Sequence, residues 1–173
     1  MKNKTLMFIL FSVSIALLFF VTFFYMVYPL KHKDYIIEYS NKYSIRPELV
    51  AAIICAESRF DDNAKSNSGA CGLMQLMPST YSWICEELEN DKGDIFDAKS
   101  NIEAGCFYFK YLSVKYKNLV YVLSCYNAGE GVVKGWGSPD DFTIDNINFL
   151  ETKAYVNKVL RLKEIYYLRF NFG

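Results

Sequence analysis

The feature that most constrains this chain is an uncharged apolar segment of 23 residues, from Leu6 to Tyr28. A helix of that length crosses the hydrocarbon core of a bilayer, which is about 30 Å thick. The segment therefore predicts one membrane-spanning helix. Residues 1–33 would form an anchor and juxtamembrane segment, and residues 34–173 a separate domain.

A cleavable signal peptide is the alternative for this segment. The apolar core of a signal peptide is usually only about 7 to 15 residues long and precedes a small-x-small cleavage site. Here the segment ends in Phe23–Tyr28 without an Ala-x-Ala pattern, which favours an uncleaved anchor. Lys2 and Lys4 before the segment nearly balance Lys31 and Lys33 after it, so flanking charge leaves the orientation open.

The charge balance of the remaining chain excludes one class of partner. Without Lys2 and Lys4, the chain carries 17 Lys and Arg against 19 Asp and Glu. Nucleic-acid binding depends on neutralising phosphates, and a nearly neutral domain predicts no basic surface for it. We expect no nucleic-acid partner, and Lys31 and Lys33 instead mark the bilayer surface.

The cysteines all lie in residues 34–173, and they are Cys55, Cys71, Cys85, Cys106 and Cys125. No two are spaced Cys-x-x-Cys, and the single histidine borders the apolar segment, so neither a zinc site nor another cofactor is expected. Buried free thiols that pack as small apolar residues are the favoured interpretation. One disulfide stays open as the alternative.

Apolar periodicity in residues 34–173 predicts an all-α domain. The predicted helices cover 34–43, 47–57, 79–88, 99–116, 119–126 and 151–168. A polar break is predicted at 90–93. Between 127 and 150, closely spaced glycines and a proline predict one long irregular region, and a loop of that length is usually functional or mobile.

Glu57 ends the apolar face of the helix predicted at 47–57. It follows Ile53 by four residues and Ile54 by three, so it projects from the stripe that should enter the core. Desolvation there would raise its pKa and keep the carboxyl protonated near neutral pH, as a general acid for glycoside cleavage requires. A frayed helix end with Glu57 in water is the alternative, and periodicity leaves it open.

Four separated blocks accompany this glutamate in a fixed order. They are Glu57-Ser58 with Phe60, Ala64 and Ser66; Gly69-Ala70 with Gly72–Pro78; Tyr126–Gly129; and Glu151-Thr152 with Tyr155-Val156. Together they strongly resemble the catalytic domain of soluble lytic transglycosylases, over roughly residues 34–169. The resemblance implies a lysozyme-like, all-helical transglycosylase domain, here preceded by one N-terminal transmembrane helix.

The resemblance also implies roles for the residues of the first two blocks. Glu57 would be the catalytic acid, and Ser58 would orient its carboxyl or the N-acetyl group of the substrate. Gln75 would hydrogen-bond the sugar, and Met74 would pack near the scissile linkage. From residue chemistry alone, Ser58 is equally a helix end, and Gly72–Gln75 a turn with core side chains.

The last two blocks would supply the second wall of the cleft. Tyr126 would contact the sugar or stabilise developing charge, and Asn127 would bond backbone or glycan, although this block is also a plausible helix stop. Glu151 and Tyr155 lie four residues apart on a helix, so both can face the same cleft. Lys153 departs from the family's arginine and cannot reproduce a bidentate contact.

The activity implied by the resemblance is cleavage of the bond between N-acetylmuramic acid and N-acetylglucosamine, with a 1,6-anhydro product. The substrate would be peptidoglycan, so the domain would lie outside the cytoplasmic membrane, and a cell-envelope partner stays open. One alternative is a goose-type lysozyme, in which Asp61, Asp62 or Glu151 positions water. Another is a catalytically silent glycan-binding or scaffold protein. If Asp61 and Asp62 do not position water, they are loop caps or solvated charges.

Overall fold

The computed structural model describes residues 2–89 and 93–172, and helices are the main elements among them. The helices are α1 Lys2–Val27, α2 Lys33–Tyr43, α3 Pro47–Glu57, α4 Pro78–Glu87, α5 Ala98–Lys115, α6 Leu119–Ala128, α7 Glu130–Val133 and α8 Leu150–Phe172, with a 3-10 turn at Ile144–Asn146. Two isolated bridges around Cys71 are the sheet-like pairings of the described chain. The predicted all-α class is confirmed. Residues 90–92 of the predicted polar break lie outside the described residues.

The predicted helices are found to within about two residues, with two exceptions. Helix α8 continues four residues beyond the predicted end, to Phe172. The region predicted as irregular contains α7, because Gly129 at φ 87° ends α6 and lets the chain turn directly into a new helix. It also contains the 3-10 turn, where Thr143 and Asn146 cap each other's backbone.

Helix α3 lies at the centre of the domain. Its residues from Ala51 to Ile54 are completely buried, as expected for a helix that is apolar around almost its whole circumference. It packs along α8 and against α2. The stripes predicted on α5 and α8 are buried as well; they are Ile102, Cys106, Phe109 and Leu112, and Tyr155, Val159, Leu162 and Tyr166.

All five cysteines are free and buried. Cys106 and Cys125 are fully enclosed within the main core, where each takes the place of a small apolar side chain. Burial raises the pKa of Cys125 to about 12, so this thiol stays protonated and unreactive at neutral pH. The interpretation as buried thiols is confirmed.

Helix α1 exposes its apolar side chains. From Leu6 to Val27 the mean hydropathy is 2.7, and this is the one helix of the described chain long and apolar enough to cross a membrane. Its end is attached to α8. The Tyr166 hydroxyl donates to the Pro29 carbonyl at 2.8 Å, and the Arg169 guanidinium lies 4.0 Å from the ring centre of Tyr25.

Candidate active site

Glu57 is the last residue of α3. Its side chain keeps partial solvent access, yet protein surrounds the carboxyl densely enough that desolvation raises its pKa from 4.5 to about 7. The placement expected from the apolar stripe is therefore confirmed, and a solvated helix end is not what the structure contains. A carboxyl that titrates near neutral pH is able both to donate and to recover a proton.

Tyr155 on α8 lies beside the Glu57 carboxyl. Tyr155 is only 8% exposed. Its hydroxyl lowers the pKa of Glu57, but burial of the carboxyl raises that pKa by more. The Tyr155 oxygen nevertheless has no partner at full hydrogen-bond geometry among the described residues. Burial and the nearby carboxylate hold the pKa of Tyr155 well above 10, so its hydroxyl keeps its proton.

Lys158, one turn beyond Tyr155, is the charged neighbour that sequence reasoning missed. Its Nζ donates to the Ala56 carbonyl at 2.7 Å, one of the last carbonyls of α3, where a cation is favoured. Its charge also lowers the pKa of Glu57. The spacing of three residues from Tyr155 was the available signal, because it puts both side chains on one helical face.

Tyr126, near the end of α6, connects Glu57 to the loop that follows α3. Its hydroxyl donates to the Met74 carbonyl at 3.0 Å, and its ring packs against Tyr108 with the ring centres 5.4 Å apart. Burial, and next the charge of Glu57, hold the pKa of Tyr126 well above 10. Tyr126 and Tyr155 are therefore both neutral hydroxyls beside the carboxyl.

The loop of Gly72–Gln75 is built around a buried asparagine. Asn101 on α5 is completely buried; its Oδ1 accepts from the Met74 N–H at 2.8 Å, and its Nδ2 donates to the Cys71 and Ile95 carbonyls at 3.2 and 2.7 Å. Gly72 has φ 77°, and a Cβ there would lie 2.3 Å from the Asn101 amide nitrogen. Only glycine fits this approach.

We expect Asn101→Ala to lower the free energy of unfolding by about 3 kcal/mol, because it leaves buried backbone groups without partners. Urea denaturation of the full chain measures this. Asn157→Ala is the matched control, since the Asn157 amide bonds only to an exposed carbonyl of its own helix. An equal loss in both variants would contradict the assignment of Asn101 as the residue that holds the loop.

Met74 does not line a cleft, and the expected sugar contact of its side chain is wrong for this structure. The side chain is completely buried. It packs so closely over α5 that a Cβ at Gly105 would lie 2.2 Å from its sulfur. Gly105 thus provides the space that Met74 occupies in the core. What Met74 presents to the site is its backbone carbonyl, which holds Tyr126.

Gln75 is partly buried, with its backbone at φ 49°. Its Nε2 donates to the Ala64 and Gly72 carbonyls at 3.1 and 2.8 Å, which closes the loop on itself. The amide oxygen has no hydrogen-bond partner among the described side chains and backbone groups. Gln75 therefore has a structural donor and an acceptor that remains available to a ligand.

A cavity of about 240 Å³ lies beside Tyr126. Its lining residues include the predicted Gln75, Tyr126 and Asn127, and three that were not predicted, Met77, Thr80 and Tyr108. Glu57 is not among them, so Tyr126 is the residue that joins the cavity to the carboxyl. Met77 follows Met74 by three residues, and it is the methionine whose side chain reaches this cavity.

The remaining predicted residues lie elsewhere. The Ser58 hydroxyl donates to the Ile54 carbonyl and accepts from the Phe60 N–H, both at 3.2 Å, so it caps the end of α3. Glu151 is exposed although Tyr155, one turn along α8, is buried. The neighbouring Thr152 is buried as well, so Glu151 lies at the edge of the packed face of α8, and its contact with the sugar stays a prediction.

The two aspartates after α3 have local partners. Asp61 is exposed, and its Oδ1 accepts from the Asn63 N–H at 3.0 Å. Asp62 contacts His32, with 2.7 Å between Oδ1 and Nε2 but without the alignment of a hydrogen bond. Asp61 thus fits the interpretation as a loop cap, whereas Asp62 contacts a side chain and is neither a cap nor a fully solvated charge. Among the described residues, Tyr155 and Lys158 are the groups that act on the pKa of Glu57, and neither is a carboxyl.

The arrangement therefore consists of one carboxyl with a raised pKa, two neutral tyrosines and a cation. Residues 34–149 match the family described as Transglycosylase SLT domain. The chain is 31% identical over 150 residues to the soluble lytic murein transglycosylase of Escherichia coli K12, covering 80% of this chain and 23% of that protein. It is 28% identical over 139 residues to the membrane-bound lytic murein transglycosylase E of Buchnera aphidicola from Acyrthosiphon pisum, covering 73% and 63%.

The fold has a solved counterpart. An inactive mutant of the lytic transglycosylase Slt from Pseudomonas aeruginosa superposes with a TM-score of 0.77 at 28% identity, covering 83% of this chain and 25% of that one. The chain thus spans about a quarter of the length of the soluble relatives and under two thirds of the membrane-bound one.

Proposed function

Because the chain belongs to the transglycosylase SLT domain family, we propose that it is a membrane-anchored peptidoglycan lytic transglycosylase. Its substrate is the β-1,4 bond between N-acetylmuramic acid and N-acetylglucosamine. Its product ends in 1,6-anhydromuramic acid. Residues 34–173 form the catalytic domain, and residues 1–33 form the anchor and juxtamembrane segment.

The observation that carries the proposal is the setting of Glu57. Its pKa of about 7 suits an acid that becomes a base within one turnover. Most glycosidases use two carboxyl groups, whereas substrate-assisted enzymes need only one. Among the described residues, no second carboxyl acts on the pKa of Glu57. This setting supports a reaction in which the substrate itself supplies the nucleophile.

The proposed reaction has two steps. Protonated Glu57 donates its proton to the glycosidic oxygen, and the bond from that oxygen to C1 of the muramoyl residue breaks. The 2-acetamido oxygen of the same residue stabilises C1 from the opposite face. The Glu57 carboxylate then removes the proton of the 6-hydroxyl while O6 bonds to C1. No water is consumed, and the glutamate regains its proton.

Burial favours the protonated state of Glu57, and its polar neighbours favour the carboxylate. Tyr155 keeps its proton, so its hydroxyl provides a dipole next to the carboxylate that forms after the first step, whereas the Tyr126 hydroxyl donates to the Met74 carbonyl. The charge of Lys158 favours that same carboxylate. Gln75 and Asn127, at the cavity beside Tyr126, are the polar groups proposed to bind the sugar. The buried Met74 side chain and the Ser58 hydroxyl, which caps α3, are not proposed to contact the sugar, whereas the contact of the exposed Glu151 stays a prediction.

The experiment that tests the proposal is digestion of purified peptidoglycan sacculi by the full-length protein in detergent. We expect soluble muropeptides to accumulate with time and with enzyme concentration. Binding to sacculi without release of fragments would favour the catalytically silent alternative. Equal release by a mock preparation from cells that lack the protein would point to a contaminating enzyme.

We propose that α1 spans the cytoplasmic membrane once and that the catalytic domain lies on its outer side. The length and hydropathy of Leu6–Val27 support the anchor, and a substrate outside the membrane requires this orientation. We expect the full chain to stay with membranes after alkaline carbonate extraction. Protease added to spheroplasts should digest the domain. Release by carbonate, or a mature N-terminus near residue 29, would replace the anchor by a signal peptide.

We expect the rate to fall as pH rises through about 7, because the general acid must be protonated before the first step. Lys158→Met removes a charge that lowers the pKa of Glu57, so the fall should move to higher pH. Lys158→Arg should restore the parental position. The measurement is the pH dependence of kcat/KM on sacculi fragments, which reports the pKa of the free enzyme.

Lys153→Met is the control for this shift. Lys153 lies on the same helix, and its Nζ pairs with the exposed Asp145 at 3.0 Å, away from Glu57. A pH profile that moves equally in the Lys153 and Lys158 variants would reflect the net charge of the protein. It would contradict a local action of Lys158 on the carboxyl.

A further inference from the structure

A second cavity, of about 360 Å³, lies where α1 meets the catalytic domain. Its walls combine apolar residues from the end of α1 with residues of α3, the following loop and α8. They are Met26, Val27, Pro29, Cys55, Arg59, Lys158 and Leu162. It shares no lining residue with the cavity beside Tyr126. We propose that this cavity binds the phosphate of an anionic phospholipid from the surrounding bilayer.

The charge of the cavity selects an anion. Arg59 and Lys158 line it, and no carboxyl does. Among the described residues, neither cation lies within ion-pair distance of an acidic group. The planar guanidinium of Arg59 matches phosphate oxygens in pairs, and Lys158 retains two N–H groups beyond the one it donates to Ala56.

The position of the cavity, at the end of the proposed membrane-spanning helix, favours a lipid over a soluble anion as its ligand. Its apolar wall is the last turn of α1, the end of the segment proposed to cross the bilayer. A lipid bound there would place its phosphate at Arg59 and Lys158 and run its acyl chains along the exposed side chains of α1. A zwitterionic head group would add an amine that no carboxyl in the lining compensates.

Hydrogen bonds fix the chain that follows α1 against the catalytic domain. Tyr166 on α8 fixes the Pro29 carbonyl, and the Lys31 Nζ donates to the Phe60 carbonyl at 3.2 Å. Arg59 itself, directly before Phe60, has φ 54°, in the left-handed region that non-glycine residues seldom adopt. The backbone on both sides of the cavity is therefore fixed by contacts between α1, the loop and α8.

The inference rests on the proposed membrane insertion of α1, and not on the chemistry at Glu57. Native mass spectrometry tests it with the full-length protein in detergent micelles that contain equal amounts of phosphatidylglycerol and phosphatidylcholine. We expect the parent to retain one phosphatidylglycerol in preference to phosphatidylcholine. Arg59→Gln should reduce this retention about tenfold through the loss of charge-assisted hydrogen bonds. Lys158→Gln provides an independent second variant.

Arg161→Gln is the matched control. Arg161 lies on α8, is exposed and has no ion-pair partner among the described residues, so its replacement removes the same charge from outside the cavity. Unchanged retention in Arg59→Gln, or an equal loss in Arg161→Gln, would overturn the site. Displacement of the lipid by a tenfold excess of inorganic phosphate would overturn its assignment to a lipid. Because micelles impose no topology, a failure here is distinct from a failure of membrane insertion.

Discussion

Replacing Glu57 by Gln should reduce the turnover of peptidoglycan by more than about a thousandfold while leaving the fold and glycan binding intact. The amide occupies nearly the same space as the carboxyl, so the contacts around it survive. It has no proton to give to the leaving oxygen and cannot accept one from the 6-hydroxyl. The measurement is the rate of muropeptide release from sacculi, together with binding to the same sacculi.

The same variant should be more stable than the parent at alkaline pH. The folded pKa of Glu57 is about 7, against 4.5 for an ordinary glutamate, so the folded protein binds the proton more tightly than the unfolded chain. Stability contributed by this group is lost as pH rises from 4.5 through about 7, on the order of 3 kcal/mol. Glu57→Gln should remove this loss, and unfolding at pH 8 compared with pH 4.5 checks it.

Glu48→Gln is the matched control for both measurements. Glu48 is a buried glutamate in the first turn of the same helix, 3.6 Å from Arg46, at the end opposite Glu57. It should keep parental activity. Release of muropeptides by Glu57→Gln at a rate near the parent's would contradict the assignment of the acid, whatever the stability data gave.

The helices were predictable because their signals are local. Helix α3 is apolar around most of its circumference, and Pro47 marks its first turn. The desolvation of Glu57 could be predicted for the same reason, since a carboxyl three and four residues after two buried isoleucines shares their face. These inferences need only the helical period.

The parts that were missed depend on contacts between distant segments. Met74 was expected at the sugar, but the space beside Gly105 on α5 accommodates its side chain. Nothing in the local sequence around Met74 encodes that space. Asn101 likewise holds the loop from 27 residues away. Glu151 and Tyr155 share a helical face, but the packing of α8 against the rest of the domain determines which of them is buried.

The charged groups also divide into those with local partners, which the sequence predicts, and one with a distant partner, which it does not. The sequence predicts that Asp61 and Asp62 are loop caps or solvated charges, because such residues bond to nearby backbone in turns. It does not predict that Lys158 reaches the end of α3, since α3 and α8 are about 100 residues apart in the chain. A tertiary contact supplies the cation that adjusts the pKa of Glu57.

The composition of the products should distinguish a transglycosylase from a lysozyme without ambiguity. In the lysozyme alternative, a second acid such as Asp61, Asp62 or Glu151 activates water. In the structure Asp61 and Glu151 are exposed and Asp62 contacts His32, so none of the three acts on Glu57. The 6-hydroxyl already belongs to the sugar whose C1 reacts, and proximity favours it over water.

Digestion of sacculi in water enriched in heavy oxygen provides the measurement, with the soluble products analysed by mass spectrometry. We expect fragments that end in 1,6-anhydromuramic acid, lack a reducing end and carry no label. A hydrolytic muramidase acting on the same sacculi is the control, and its products should be heavier by one labelled water. Labelled, reducing products from this protein would contradict the transglycosylase assignment, because they would require an attacking water and a group to activate it. Unlabelled anhydro products would leave Glu57 as the single carboxyl that serves both steps.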